Sequence, residues 1–296
     1  MDLTAYLHEK RAMVDDALRG IFPDPEGPAA DIIRAMQYSL FAGGKRLRPI
    51  LCMAGAEAVG GEGKDVLPVA CAIELIHTYS LIHDDLPVMD DDDMRRGQPT
   101  SHKVFGEAMA LLAGDGLLTK AFHVMTQADF QNRVRPGALL TVIGLIAKAA
   151  GYEGMVGGQV VDIQSEGKKV DPHILEFIHT HKTAALITAS VASGAILAGG
   201  EEHQVNALTS YGQNIGLAFQ VSDDILDIEG NSQELGKNVG SDERQGKITY
   251  PTLLGLSRSK EIQRELLERA IEALKPFDHR SEPLRDIARY IIARRR

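Results

Sequence analysis

The sequence contains no tryptophan, and only 5% of its 296 residues are aromatic. It has two cysteines, Cys52 and Cys71, which are too few for a disulfide framework in a chain of this length. Both lie in apolar stretches with helical patterning, so we expect free thiols in a reducing compartment, the cytoplasm. The opening residues, MDLTAYLHEKR, lack a signal-peptide core and are too acidic for a transit peptide.

Long hydrophobic runs and a basic face are also missing. The longest apolar runs, residues 138–147 and 184–198, are shorter than a bilayer span or contain Thr, Ser and Gly. We interpret them as buried helices and expect no stable membrane insertion. The net charge of −9, with basic residues concentrated only at 294–296, argues against a nucleic-acid partner.

The hydrophobic pattern is helical throughout. Leu3, Leu7, Val14, Leu18 and Ile21 recur close to the spacing of one helix face, and no segment alternates with period two for more than a few residues. There is no proline-rich linker in the middle of the chain, and 44% hydrophobic residues can form a large core. The sequence therefore predicts an all-α helical bundle in which residues 1–296 form a single domain.

Residues 83–97 read HDDLPVMDDDDMRRG and concentrate unusual negative charge. The apolar segment before them predicts a buried helix that ends at Asp84 and Asp85, because Pro87 cannot continue it. Crowded carboxylates at the negative end of a helix dipole repel one another, and Mg²⁺, which prefers oxygen ligands, would relieve that repulsion. Arg95 and Arg96 could grip a phosphate. A solvated acidic loop is the alternative interpretation.

A second acidic segment favours the metal interpretation. Residues 219–229 read FQVSDDILDIE, so Asp223, Asp224 and Asp227 would crowd one face of a largely apolar helix. Such stacking is unfavourable without a counter-charge, and a purely structural role is difficult to support. Two such segments suggest acidic walls on opposite sides of a cavity, with metal ions holding a diphosphate between them.

Together with five further motifs, these segments make the chain resemble the trans-isoprenyl diphosphate synthases, in particular those of the bacterial farnesyl diphosphate synthase type. The further motifs are GGKRLRP (43–49), IHTYSLIHDD (76–85), GGQVVDI (157–163), HKT (181–183) and GKITYP (246–251). They span nearly the whole chain in the family's order. The resemblance implies the isoprenoid synthase fold, a helical bundle around a central cavity. Taken locally, GGKRLRP could also be a solvated turn, and Gly157-Gly158 could serve only helix packing.

The resemblance implies the reaction and its metal ions. An allylic diphosphate, dimethylallyl and then geranyl, would condense head-to-tail with isopentenyl diphosphate and release pyrophosphate. The cofactor would be Mg²⁺, with about three ions per active site and Mn²⁺ as a substitute. By family match, Asp84, Asp90 and Asp223 would be metal ligands supported by Asp227. Asp85, Asp91 and Asp224 would orient water or cations around them.

The same resemblance assigns two sets of diphosphate-binding side chains. The allylic diphosphate would be held by Arg95, Lys182, Lys237 and Lys247. Isopentenyl diphosphate must bind without metal because its C–O bond survives, so cationic side chains would hold it: Lys45, Arg48, His77 and Arg96. Taken alone, a histidine such as His77 on an apolar face is more often an ordinary core residue. Thr183 and Gln220 would orient dipoles toward the carbocation.

Product length would depend on where the hydrocarbon tunnel ends. Tyr79 and Ser80 lie five and four residues before Asp84, which is about 6–8 Å along a helix. A large ring at Tyr79 resembles family members that stop at the fifteen-carbon farnesyl product. Ordinary core packing is the other interpretation of this ring, and geranyl or geranylgeranyl diphosphate remains an alternative product.

Other functions fit the residues less well. A terpene cyclase would have more aromatic residues, a second motif with Asn, Ser and Glu, and no use for a second diphosphate anchor such as GGKRLRP. A non-catalytic synthase subunit would have lost one acidic motif, and both are present. A divalent-cation buffer would show EF-hand-like spacing, which is missing. The resemblance also implies a homodimer.

Overall fold

The computed structural model describes residues 1–131, 133–168, 170–229 and 248–293. The helices in chain order are α1 (Leu3–Ile21), α2 (Ala30–Leu40), α3 (Leu47–Ala58), α4 (Leu67–Asp84), α5 (Ser101–Phe105), α6 (Glu107–Met125), α7 (Ala128–Gln131), α8 (Pro136–Ala150), α9 (Met155–Ser165), α10 (Pro172–Ile178), α11 (Ala185–Leu197), α12 (Glu202–Glu229), α13 (Tyr250–Leu254), α14 (Leu256–Ala273) and α15 (Glu282–Ala293). A π-helical turn, His179–Ala184, joins α10 to α11. Strands β1 (Met94–Arg95) and β2 (Gln98–Pro99) form a short antiparallel ribbon. The expected all-α isoprenoid synthase fold is confirmed.

Helix boundaries follow local capping chemistry. The Asp2 carboxylate accepts a hydrogen bond from the Ala5 amide at 3.1 Å and begins α1. Proline occupies the first turn of α4, α8, α10 and α13, where its missing N–H costs no hydrogen bond. Thr249 and Thr252 form a reciprocal capping box at the start of α13. These four prolines thus mark the starts of helices.

Helices α3 and α11 lie at the centre and serve two cores. One core contains buried residues of this pair together with α1, α2, α4, α6 and α8, and the other contains residues of the pair together with α12, α14 and α15. Close approach requires small residues: a Cβ on Gly194 of α11 would lie 1.8 Å from the Cys52 carbonyl oxygen of α3. A Cβ on Gly55 would lie 2.3 Å from the Val191 carbonyl oxygen. The two helices therefore pack backbone against backbone.

Buried Arg46 connects the first core to the loop before α3. Its guanidinium pairs with Glu74 on α4 and Asp15 on α1, each at 2.8 Å, and donates to the Leu40 carbonyl. Its backbone adopts the left-handed region at φ 52°, which is unusual for a large side chain. Of the three cations of GGKRLRP, Lys45 and Arg48 were expected to hold a diphosphate. Arg46, which lies between them, belongs to a buried ion-pair network.

Two stretches of the described chain are long and apolar enough, by length and composition, to cross a membrane: Gly63–Asp84 and Pro136–Ser165. In the first stretch, 67% of the most apolar window is buried inside the protein, as is typical of a core helix. The second is interrupted between Ala150 and Met155, where α8 ends and α9 begins. It is only 39% buried and presents apolar side chains on the surface.

Candidate active site

The loop after α4 folds back on itself and brings Asp90 beside Asp84. Helix α4 ends at Asp84, with Asp85 as its C-terminal cap. The Asp90 amide then donates to the Asp84 carbonyl at 2.9 Å, and the Met89 amide donates to the Leu86 carbonyl at 2.8 Å. The residues between the aspartates therefore form a closed turn. Two carboxylates that are six positions apart share the end of one helix.

Asp85 has a different environment from its neighbours. Its carboxylate pairs with Arg95 Nε at 2.5 Å, and Arg95 Nη2 lies 3.2 Å from Asp92. Burial raises the pKa of Asp85 to about 6, although the Arg95 charge acts to lower it. The pair connects the end of α4 to strand β1 and sets the direction of the Arg95 side chain.

Arg96 lies across the two glycines that precede Lys45. Its guanidinium donates to the Gly43 carbonyl, and its backbone is left-handed at φ 54°. A Cβ on Gly44 would lie 2.8 Å from the guanidinium carbon. Glycine at position 44 therefore leaves room for the Arg96 guanidinium. The contacts of Arg96 hold its backbone in the left-handed region, which is strained for a large residue.

A cluster of basic groups lies next to these glycines. It contains the guanidinium groups of Arg48 and Arg96 and the imidazole of His77. Burial lowers the pKa of Arg48 to about 10, although Glu74 and Asp223 act to raise it. Arg48 Nε is buried and has no hydrogen-bond partner among the described residues. An orphaned buried donor beside a second guanidinium is costly unless an anion binds there. The cluster therefore has the character of an anion site.

His77 has a lowered pKa in this cluster. It was expected to be one of the cations that hold isopentenyl diphosphate. Burial, and then the charges of Arg48 and Arg96, hold the pKa of His77 well below its ordinary value. These surroundings disfavour a positive charge on the ring, and its contact with a diphosphate stays a prediction. A neutral imidazole can still donate one hydrogen bond to a phosphate oxygen.

Lys45 lies on a pocket of about 200 Å³ lined by α1, α3, α12 and α15. His8 and Arg11 of α1 and Tyr290 of α15 share this pocket. Its predicted contact with a diphosphate stays a prediction. Lys237 and Lys247, also expected to hold a diphosphate, lie outside the described residues.

The second acidic segment lies in the last part of α12. Asp224 and Asp227 are buried, with 2% and 6% of their surface exposed, and Asp223 is partly exposed. The Asp224 carboxylate accepts hydrogen bonds from Gln220 Nε2 at 3.0 Å and from the Tyr250 amide at 2.9 Å. Asp224 thus attaches the start of α13 to α12, a structural contact that its place in the motif did not indicate.

The π-helical turn brings Lys182 and Thr183 to the same region. Lys182 Nζ pairs with Asp162 of α9 at 2.6 Å. Burial acts to lower the pKa of Lys182, but Asp162 and Asp84 outweigh it, so the pKa is raised. A Cβ on Gly158 would lie 2.3 Å from the Lys182 amide nitrogen. Gly158 therefore lets α9 pack against this turn and carry Asp162 to the lysine.

Thr183 and Gln220 meet directly. The Thr183 hydroxyl donates to Gln220 Oε1 at 3.0 Å, and the same amide donates to Asp224. This chain of hydrogen bonds connects the π-helical turn to the second acidic segment. π-helical turns are rare and often lie at functional sites.

Tyr79 and Ser80 lie on α4, one turn and more before Asp84. The Tyr79 ring is buried and meets His83 edge-to-face at 5.7 Å between centroids. Burial, and then Asp84, raise the pKa of Tyr79 to about 12, so the phenol is neutral. The Ser80 hydroxyl donates to the His77 carbonyl of its own helix at 2.9 Å.

Two acidic surfaces therefore meet cationic side chains in one region. Lys182 is influenced by Asp84 and Asp90 from the first segment, and Arg48 is influenced by Asp223 from the second. Carboxylates of Asp84, Asp90 and Asp223 offer oxygen ligands only, which suits a hard dication such as Mg²⁺. Among the described residues, however, the ligand atoms that gather within 4.8 Å belong to Asp91, Asp93 and His102.

The chain matches a known protein family. A family model described as polyprenyl synthetase matches residues 30–287. The chain belongs to the polyprenyl synthetase family. It is 49% identical over 294 residues to a farnesyl diphosphate synthase of Geobacillus stearothermophilus, covering 99% of this chain and 98% of that one. The resemblance read from the motifs is confirmed.

Two other similar proteins are named for a different product, geranylgeranyl pyrophosphate. The chain is 49% identical over 297 residues to a heterodimeric geranylgeranyl pyrophosphate synthase large subunit of Arabidopsis thaliana, covering 99% of this chain and 80% of that one. A geranylgeranyl pyrophosphate synthetase from Pyrococcus horikoshii superposes with a TM-score of 0.91 at 32% identity, covering 99% and 98% of the two chains. The family acts on isopentenyl and allylic diphosphates, with the allylic diphosphate as the prenyl donor, and it uses divalent metal ions. A prenyltransferase activity follows.

Proposed function

We propose that this protein is an Mg²⁺-dependent (2E,6E)-farnesyl diphosphate synthase whose residues 1–296 form one domain. The observation that carries the proposal is the pairing of two unlike diphosphate sites. Asp84, Asp90 and Asp223 provide oxygen ligands for metal ions, whereas Arg48 and Arg96 form a cationic cluster in which the Arg48 Nε is buried without a hydrogen-bond partner among the described residues. A condensing enzyme needs this difference, because one substrate must lose its diphosphate and the other must keep it.

At the first site, Asp84, Asp90 and Asp223, supported by Asp227, would hold the metal ions. The bound ions supply positive charge that stabilises the departing pyrophosphate. Lys182 and Arg95 hold the allylic diphosphate in line with these carboxylates. Asp162 and Asp85 position the two cations through the ion pairs described above. Thr183 and Gln220 present hydroxyl and amide oxygens that favour positive charge on the allylic carbon.

At the second site, Arg48, Arg96 and neutral His77 bind isopentenyl diphosphate, with Lys45 at the edge. The orphaned Arg48 Nε gains an acceptor when the diphosphate binds. Breaking the allylic C–O bond leaves a cation, and the isopentenyl double bond attacks it to form the new C–C bond. The proton lost from the adduct passes to the departing pyrophosphate, which lies beside it.

The farnesyl product is supported by Tyr79 and by the Geobacillus relative. The ring is buried on α4, five residues before Asp84, where it would block a longer chain. Geranylgeranyl diphosphate is the second candidate product, favoured by the Arabidopsis and Pyrococcus relatives.

Product analysis tests the proposal. Purified protein should convert isopentenyl diphosphate and either dimethylallyl or geranyl diphosphate to farnesyl diphosphate in the presence of Mg²⁺, as measured by chromatography of the dephosphorylated alcohols. Chelation of the metal should abolish turnover. No condensation with any allylic primer would refute the enzyme proposal, whereas a geranylgeranyl product would refute only the proposed chain length.

We also propose a homodimer formed through α6 and α8. These helices and the neighbouring α5 expose large apolar side chains that are costly to leave in water. The side chains are Val104, Leu111, Leu112 and Leu140. Covering them with the same face of a second copy would remove these side chains from water.

A charge on this face should separate the subunits. Leu140 is 70% exposed, so Leu140→Glu should leave the monomer folded while converting the dimer to monomer in light scattering. Ile174→Glu on α10, also partly exposed, is the matched control and should remain dimeric. If Ile174→Glu were monomeric while Leu140→Glu remained dimeric, the interface would lie elsewhere on the protein.

A further inference from the structure

A cluster of metal-ligand side chains lies just beyond the residues proposed to hold the catalytic ions. A ring nitrogen of His102 and carboxylate oxygens of Asp91 and Asp93 all lie within 4.8 Å of one another. Asp91 and Asp93 belong to the loop after Asp90, and His102 lies on α5. Asp91 adopts the left-handed region at φ 50°. Asp91 was expected to orient water or cations around the catalytic ions, whereas Asp93 and His102 have no role in the proposed reaction.

Hydrogen bonding defines the state of the His102 ring. The Thr100 hydroxyl donates its one hydrogen to the Asp92 carbonyl, 2.8 Å away. It can therefore only accept from His102 Nδ1, which lies 3.1 Å from it. The neutral ring then carries its hydrogen on Nδ1 and a lone pair on Nε2. This arrangement, with one ring N–H fixed by a hydrogen bond, is typical of histidines that bind metal through the other nitrogen.

No described residue donates a hydrogen bond to the lone pair on Nε2. His102 is 7% exposed, and Nε2 is buried without a hydrogen-bond partner among the described residues. The nearby Asp91 and Asp93 carboxylates accept hydrogen bonds but cannot donate them when ionised. With Nε2 as the ring nitrogen that lies within 4.8 Å of the two carboxylates, three acceptors converge, and a cation is the species that satisfies all of them together.

Lys103 already neutralises part of this charge. Its Nζ lies 2.6 Å from Asp93 Oδ1, but the two side chains are 43% and 72% exposed. Exposed ion pairs of this kind contribute little to stability, about 0–1 kcal/mol. The lysine can swing into solvent and leave Asp93 to a metal ion, so it acts as a weak competitor.

We propose that Asp91, Asp93 and His102 form a separate binding site for a transition-metal dication such as Zn²⁺, which links the loop after Asp90 to α5. An imidazole nitrogen with two carboxylates suits Zn²⁺ or Mn²⁺ better than Mg²⁺, which prefers oxygen ligands. The bound ion fixes the loop that leads from Asp90 to Arg95 and Arg96. The site does not depend on the proposed reaction, because it requires neither substrate.

Calorimetric titration of the full-length protein with Zn²⁺, in saturating Mg²⁺, tests the site. We expect binding that weakens at least about tenfold in His102→Gln and in Asp93→Asn, as the loss of metal-site residues typically does. Lys103→Met should tighten binding by removing the competitor. His203→Gln, at an exposed histidine 3.3 Å from a single carboxylate on Glu201, is the matched control and should bind as the parent does.

Absorption of bound Co²⁺ adds a readout of nitrogen ligation that should change in His102→Gln. Because Asp93 is a surface residue, its variant keeps the test valid if His102→Gln fails to fold. Unchanged affinity in Asp93→Asn and in folded His102→Gln would overturn the proposal, as would the absence of Zn²⁺ binding. Zn²⁺ binding that is lost in Asp84→Asn but kept in both of these variants would assign the ion to the catalytic carboxylates and also overturn it.

Discussion

Asp84→Asn and Asp223→Asn should each lower kcat by about a hundredfold to a thousandfold at saturating Mg²⁺ and substrate. Each replacement removes a negative metal ligand while keeping the size of the side chain. The lost interaction stabilises charge that develops only as the C–O bond breaks, so kcat should fall far more than KM rises. Steady-state kinetics with geranyl and isopentenyl diphosphates measures both quantities.

Asp115→Asn supplies the control for this comparison. Asp115 is an exposed carboxylate, with 61% of its side chain accessible, and lies on α6 rather than in either acidic segment. Its variant should retain the parent kcat. Full-rate turnover by Asp84→Asn or Asp223→Asn at saturating Mg²⁺ would remove that carboxylate from the proposed metal site.

Tyr79→Ala should change the main product from farnesyl diphosphate to chains of twenty or more carbons. The substitution deletes a buried ring on α4 and opens space beyond the point where the fifteen-carbon chain would end. The edge-to-face contact with His83 is lost at the same time, so the free energy of unfolding should fall by about 3–5 kcal/mol. Chromatography of the dephosphorylated products measures the distribution.

Tyr79→Phe keeps the ring and removes only the hydroxyl, so it should still make the farnesyl product. This control separates blocking by bulk from any effect of the phenol. A Tyr79→Ala enzyme that remains confined to fifteen carbons would show that the ring is ordinary core packing and that another residue closes the tunnel.

The elements with strong local signals could be predicted from the sequence. Apolar spacing from Leu3 to Ile21 predicted α1, and Pro87 with the aspartate pair predicted the end of α4. Both are matched by the structure because capping and helix breaking depend on residues that are near one another in the chain. The all-α class followed from the same periodicity.

Contacts between distant residues could not be read in this way. GGKRLRP contains three cations, yet the sequence does not indicate that Arg46 pairs with Asp15 and Glu74, since both carboxylates come from other helices. The lowered pKa of His77 depends on burial beside Arg48, which only the folded chain creates. The Glu74 carboxylate on an apolar helix was the available signal, because a buried acid needs a partner.

Asp224 shows the same limit within a motif. Spacing made the three aspartates of α12 look equivalent, but hydrogen bonds from Gln220 and the Tyr250 amide give Asp224 a structural role. A helical period specifies which residues share a face. It does not specify which of them meets the chain that returns from another part of the sequence.

A crystal structure with Mg²⁺ and an unreactive allylic diphosphate analogue tests the central claim most directly. The account predicts metal ions between the two acidic segments, bound by Asp84 and Asp90 on one side and Asp223 on the other, with the diphosphate oxygens bridging them. Acidic segments that face separate regions of solvent and share no ion or diphosphate would contradict it.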